Sequence, residues 1–279
     1  MNFHPYKVFR ALSLDVVIGV IASALFANHL LQLQLNTNWL TILVLATWSF
    51  YTFDHLIDGF KTKDKALIFR HLFHYKYRIQ LSIMAIISAF AAIIMAYLYL
   101  DKLVITAGLL LGLIGLIYFL ILIFTTKKNI FFQKEVIIAF FYVIGIWMAP
   151  LLSAKKTPDI FVFASMLFIF LLAFAEGVMA SYFDFEKDAR EGHSSFAVIF
   201  GKQSTNNLLK ILHSLLFVVL LYLLTLRISE LQLIAYIIIS LMNFILLIIN
   251  IFPHIFTKND KYRIIGEVVF WIPALLVLF

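Results

Sequence analysis

The chain has 279 residues, 63% of them hydrophobic and 13% charged, with a mean hydropathy of +1.01. A soluble domain is nearer half apolar and a quarter charged, so repeated apolar runs of spanning length indicate an all-α, polytopic membrane protein, without the alternation of a transmembrane barrel. There is no cysteine, which excludes disulfides, thiolate metal sites and cysteine nucleophiles, and the net charge of +7 is distributed in a way that suits anionic lipid and phosphate rather than nucleic acid.

The N-terminal stretch MNFHPYKVFRALSLD runs into the first apolar segment with no small-residue cleavage site, so no removable signal peptide is expected. Nine spans are expected in chain order, at 12–33, 39–57, 79–100, 103–124, 136–152, 159–183, 208–226, 231–252 and 264–279. The last is short. The connections are short as well, and no Pro/Gly/Ser-rich linker divides them. The expectation is one transmembrane domain over residues 1–279, with nine helices in a single bundle.

Of the 22 Lys and Arg residues, 18 belong to the N-terminus and the connections after the even-numbered spans, against 4 on the other side. The positive-inside rule then predicts a multi-pass protein of the cytoplasmic (inner) membrane, with the N-terminus cytoplasmic and the C-terminus outside. Gly108, Gly112 and Gly115 read as a helix-packing face in the fourth span. Arg70-His-Leu-Phe-His-Tyr-Lys-Tyr-Arg78 reads as an amphipathic surface helix. His71 and His74 could bind a metal there, although a basic-aromatic interfacial helix is the commoner use of such a pattern.

Two acidic motifs stand out, Asp54-x-x-x-Asp58 and Asp184-x-x-x-Asp188, 130 residues apart at the ends of spans 2 and 6. The spacing places both carboxylates of a pair on one helix face. Carboxylates about 6 Å apart at an effective dielectric near 20 repel by roughly 3 kcal/mol per pair. Such clusters need protons, basic partners or a metal, and Mg²⁺ suits carboxylate, water and phosphate oxygens. Taken singly, either pair is more simply a set of solvated interface residues. Two pairs at matching positions on one predicted side favour a site. Lys61, Arg70, Lys134, Lys187 and Arg190 are candidate diphosphate ligands, and Lys127 and Lys128 lie in the same set of loops. The positive-inside rule alone would also populate these loops. Glu176 lies inside span 6, two turns before Asp184, where a buried charge is costly, so it is expected to line a cavity.

The run Asp184-Phe-Glu-Lys-Asp188-Ala-Arg190-Glu-Gly192-His-Ser-Ser195-Phe-Ala197-Val-Ile-Phe200-Gly201 resembles the second signature of the UbiA-type membrane prenyltransferases. The nine-span, N-inside arrangement also resembles that family. The family's first signature usually reads N-D-x-x-D-x-x-x-D. Here Phe50 and Tyr51 occupy its opening positions, Asp54 and Asp58 remain, and Ser194 stands where a basic residue is usual. The resemblance implies a UbiA prenyltransferase-like bundle in which Asp54, Asp58, Asp184 and Asp188 are the catalytic, metal-holding acids. It implies Mg²⁺ as cofactor, a polyprenyl diphosphate donor and a hydrophobic or aromatic acceptor in the membrane. Tyr51 and Glu176 would line the cavity.

Two other readings compete. CDP-alcohol phosphotransferases also carry D-x-x-x-D, but their D-G-x-x-A-R continuation is missing after Asp58-Gly59, which excludes them. A relative that binds lipid or quinone without catalysis, or a transporter, draws support from Phe50 and Tyr51. Transporters more often break helices with Gly or Pro near the midplane, and only five prolines occur here.

Overall fold

The computed structural model describes residues 5–124, 134–226 and 228–279. Its helices, in chain order, are α1 (Pro5–Ala11), α2 (Leu14–Leu30), α3 (Thr37–Thr62), α4 (Phe69–Lys76), α5 (Arg78–Tyr99), α6 (Lys102–Phe124), α7 (Lys134–Ser153), α8 (Ile160–Glu191), α9 (Phe196–Phe200), α10 (Lys202–Leu224), α11 (Glu230–Ile251), α12 (Pro253–Thr257) and α13 (Lys261–Val269). No strand occurs among the described residues. The protein is an all-helical, multi-pass membrane protein.

Seven of these helices (α3, α5, α6, α7, α8, α10 and α11) are long and apolar enough to cross a bilayer. An eighth span appears if α1 and α2, bent by 61° across a break at Leu12-Ser13, are counted as one. The expected ninth span at 264–279 is not a continuous helix: α13 ends at Val269, and a short 3₁₀ segment, Ile272–Leu278, follows with Pro273 near its start. A proline lacks the N–H that would continue the ladder, which hydropathy cannot register.

Helix ends follow local chemistry. The Asn36 side chain accepts from the Trp39 N–H to start α3, and Asp159 accepts from the Val162 N–H to start α8. Ser229 and Gln232 form a reciprocal capping box that opens α11, and Gln232 also donates to Asp159 at 2.7 Å, tying the starts of α8 and α11 together. Gly192, with φ of 77°, ends α8 in the left-handed region that disfavours a Cβ. The 32 residues of α8 make it about 48 Å long, well beyond a hydrocarbon core of about 30 Å. Its last two turns carry Asp184 and Asp188. Likewise α3 runs five residues past the expected end at position 57, so both acidic pairs are helical throughout.

The chain divides into two compact units. The first comprises Met1–Val20 and Asn36–Asn129 as far as described, with α1, the start of α2, and α3 to α6. Here α3 and α5 pack closely through small polar residues: Ser49 donates to the Ala85 carbonyl and Ser88 to the Leu45 carbonyl. Ala11, Leu56, Phe73 and Leu81 form a buried cluster that seats α4 among α1, α3 and α5. Gly115 is buried on α6, whereas a Cβ at Gly112 would meet nothing within 4 Å, so the expected glycine packing face does not extend to Gly112. The second unit comprises Ile21–Leu35 and Ile130–Phe279 as far as described. Trp147, Ile169, Leu172, Met179, Ile239 and Leu246 are fully buried in its core. A buried polar link joins α10 and α11, with Asn243 donating to the His213 carbonyl at 3.0 Å.

Candidate functional site

The first acidic motif occupies the end of α3. Asp54 and Asp58 are both buried, one turn apart. Tyr118 of α6 donates to Asp54 Oδ1 at 3.3 Å, and its ring stacks on Phe50. Phe50 also lies against Phe119 and Tyr51. The aromatic pair at the motif's opening positions thus belongs to a cluster that seats a hydroxyl on Asp54. Tyr51 is half-buried with its ring beside His55, and lines this cluster.

Helix α4 brings a second set of groups to these acids. His71 Nε2 is 3.7 Å from Asp58 Oδ2, and His55 Nδ1 is 3.7 Å from Asp54 Oδ2. Arg70 Nη1 lies 3.1 Å from His55 Nε2, so this expected phosphate ligand does reach the motif. The approach requires Gly59, where an added Cβ would stand 2.8 Å from the His71 carbonyl oxygen and 3.1 Å from the Tyr75 nitrogen. His71 and His74 are buried against α3, not spread on an interface as the sequence pattern suggested. Burial lowers the pKa of His74 to about 4, so its ring is neutral, with Nδ1 bonded to the Arg70 carbonyl at 2.9 Å.

The second motif occupies the last two turns of α8. Asp184 is buried and heavily engaged: Arg263 donates to Oδ2 at 2.6 Å, while Tyr262 and Lys187 donate to Oδ1 at 2.8 and 3.1 Å. A carboxylate offers about four lone-pair sites, so one remains. Burial raises the Tyr262 hydroxyl well above its ordinary pKa, which keeps it a donor. Its ring stacks on Phe183 at a centroid distance of 4.3 Å. Lys187 is also 3.7 Å from Asp260. Asp188 is buried one turn further, and its carbonyl accepts the N–H groups of Gly192 and His193 at the helix end. Gly266 lets α13 approach α8, since a Cβ there would lie 3.2 Å from both Glu176 Oε1 and Met179 Cε.

The segment after this motif is pinned from below. Buried Glu135 accepts from the Phe196 N–H at 2.8 Å, and Ser181 Oγ accepts from the Ala197 N–H at 3.1 Å, so two orphan donors at the start of α9 are satisfied. Gly201, with φ of 86°, turns the chain from α9 into α10. The motif-like glycines therefore act through the backbone.

The other sequence-derived candidates vary in placement. Lys187 contacts Asp184, whereas Lys61 and Arg190 are exposed. Lys134 is half-buried at the start of α7. Glu176 is half-buried beside Gly266. Lys127 and Lys128 lie outside the described residues. Phe140, Val143, Ile144, Phe163, Met166, Leu167 and Phe170 line an apolar groove between α7 and α8. Four contributors were not anticipated: His55, Tyr118, Tyr262 and Arg263. Only Arg263 carried a signal, as a basic residue in the connection after the eighth expected span.

Mg²⁺ fits the two motifs differently. The second offers oxygen donors from Asp184 and Asp188, with Arg263 and Tyr262 orienting Asp184 as hydrogen-bonded supports of a ligating carboxylate do. At the first motif two imidazoles stand among the carboxylates, a mixed donor set poorly suited to Mg²⁺.

No family model matches the chain, and no curated protein matches its sequence. Its fold does match solved structures. The apo structure of a UbiA homolog from Aeropyrum pernix K1 superposes with a TM-score of 0.63 at 11% identity, covering 94% of this chain and 98% of that one. A structure of digeranylgeranylglyceryl phosphate synthase matches with a TM-score of 0.54 at 13% identity, covering 98% of this chain and 97% of the other. The chain has the fold of UbiA-type membrane prenyltransferases.

Proposed function

We propose that the protein transfers an isoprenyl group from a polyprenyl diphosphate to a hydrophobic or aromatic acceptor within the membrane. The observation that carries this reading is buried Asp184, held by Arg263 and Lys187 one turn from buried Asp188, at the end of α8 in a UbiA-type fold. Asp184 and Asp188 would hold Mg²⁺, which would supply charge neutralisation to the diphosphate leaving group. Lys187 and Arg190 bind phosphate oxygens at the second motif, with Lys134 at the start of α7. Arg70 and Lys61 offer positive charge at the first motif, where Asp54 and Asp58 fix the positions of the basic and imidazole groups. Aromatic walls, Tyr51 among them, keep water from the electron-deficient allylic carbon until the acceptor attacks. The α7/α8 groove supports this reading as an apolar surface that an isoprenoid chain could follow.

Binding of geranylgeranyl diphosphate to the purified full chain tests this. Mg²⁺ is expected to promote binding, EDTA to abolish it, and Asp188→Asn to weaken it by more than about tenfold, the scale of a lost charge-assisted contact. Binding indifferent to both chelator and Asp188→Asn would overturn the proposal. It would favour a non-catalytic lipid- or quinone-binding protein, a reading that the aromatic pair Phe50 and Tyr51 supports.

A further inference from the structure

We infer that His55, Asp58 and His71 form a binding site for a divalent transition-metal ion such as Mn²⁺, Co²⁺ or Zn²⁺. Each of the three offers one ligand atom, and these atoms all lie within 4.8 Å of one another. All three side chains are buried. Donors held about 2.0–2.2 Å from a common ion stand roughly 3.0–3.5 Å apart. The 3.7 Å from His71 Nε2 to Asp58 Oδ2 is thus within a few tenths of an ångström of a ligating pair.

The arrangement comes from two elements that the sequence keeps close. His55 and Asp58 are three residues apart on α3, hence on one helix face. His71 arrives from α4, which packs tightly on α3 because Gly59 has no Cβ to strike the His71 carbonyl. The donor set decides the metal class. Imidazole with carboxylate suits Zn²⁺, Fe²⁺, Co²⁺ and Mn²⁺, whereas Mg²⁺ prefers oxygen alone. The carboxylate of Asp54, 3.7 Å from His55 Nδ1, occupies the place of a support that orients a ligating histidine. The guanidinium of Arg70, 3.1 Å from His55 Nε2, can only donate, so Nε2 presents a lone pair. An ion bound at Nε2 competes with this Arg70 contact. The site shares Asp58 with the first acidic motif but does not depend on prenyl transfer.

The test uses the full chain, stripped with EDTA and titrated with Mn²⁺ alone. Pulsed electron paramagnetic resonance of the bound Mn²⁺ in unsubstituted protein should show modulation from ¹⁴N of imidazole. His55→Ala and His71→Ala are each expected to weaken Mn²⁺ binding at least about tenfold. Exposed His254→Ala serves as the control and should leave binding unchanged. Zn²⁺ should displace the bound Mn²⁺, and Mg²⁺ in hundredfold excess should not. Oxygen-only coordination in the unsubstituted protein overturns the inference, even if the histidine variants misfold. Equal displacement by Mg²⁺ overturns it as well. Failure of geranylgeranyl diphosphate to bind would count against prenyl transfer and leave these metal readouts unaffected.

Discussion

Asp184 shows how a single carboxylate can be kept ionised at the end of a membrane helix. Taking an ion out of water costs several kcal/mol, and the cost is recovered only with good geometry and satisfied lone pairs. Arg263, Tyr262 and Lys187 supply both. Arg263→Gln removes the shortest of these contacts and leaves the buried charge under-compensated. It is expected to destabilise the protein by about 2–4 kcal/mol in denaturant titrations in micelles. Adding Asp184→Asn should recover much of the loss, because the double variant buries no orphan charge. Losses that simply add would show that the two side chains act independently. The acid pairs could be read from sequence because i, i+4 spacing is local. The pairing of Arg263 with Asp184 could not, since the two are 79 residues apart and their meeting depends on how α13 packs on α8. His55 was hidden for another reason: a histidine inside an apolar run carries no pattern until α4 brings His71 beside Asp58.

At the scale of elements, glycines decide which helices may touch. Gly59 faces backbone atoms of α4 at 2.8 and 3.1 Å, which cannot swing away as the tip of a flexible side chain could. Gly59→Ala must therefore push α4 off α3, loosening the buried cluster of Leu56, Phe73 and Leu81. The expected cost is about 1–3 kcal/mol, as for other overpacked contacts, together with weakened Mn²⁺ binding as His71 retreats from Asp58. Gly112→Ala on α6 meets open space and is expected to be neutral, or stabilising by up to about 1 kcal/mol through helix propensity. Thermal denaturation of the two variants side by side checks the contrast. Equal losses would mean that the cost comes from the glycine backbone rather than from the α3–α4 contact. Sequence alone assigned a packing face to Gly112 and none to Gly59, because small residues in apolar helices mark close approach only where a neighbour exists.

For the whole molecule, the apolar runs were legible because each had to satisfy its backbone internally, and helices are the simplest way for one segment to do so. Their ends were less legible. Both α3 and α8 continue past the expected boundaries, since their polar last turns are packed against α4 and α13 rather than ending at the apolar run. The expected ninth span is the instructive case: its composition is apolar, yet α13 and the 3₁₀ segment after it form two short pieces. This bears on topology, because an even or odd number of crossings decides where the C-terminus lies. The basic bias, 18 of 22 Lys and Arg assigned to one side, was counted on nine crossings and predicts a cytoplasmic N-terminus with the C-terminus outside. Eight crossings would return the C-terminus to the side of the N-terminus. Paired C-terminal fusions to alkaline phosphatase and to green fluorescent protein distinguish these outcomes. An active phosphatase with dark fluorescence is expected if Ile272–Leu278 completes a crossing. The opposite pattern would mean that the last segment turns back before reaching the far face, while Lys258, Lys261 and Arg263 still anchor its start on the basic side.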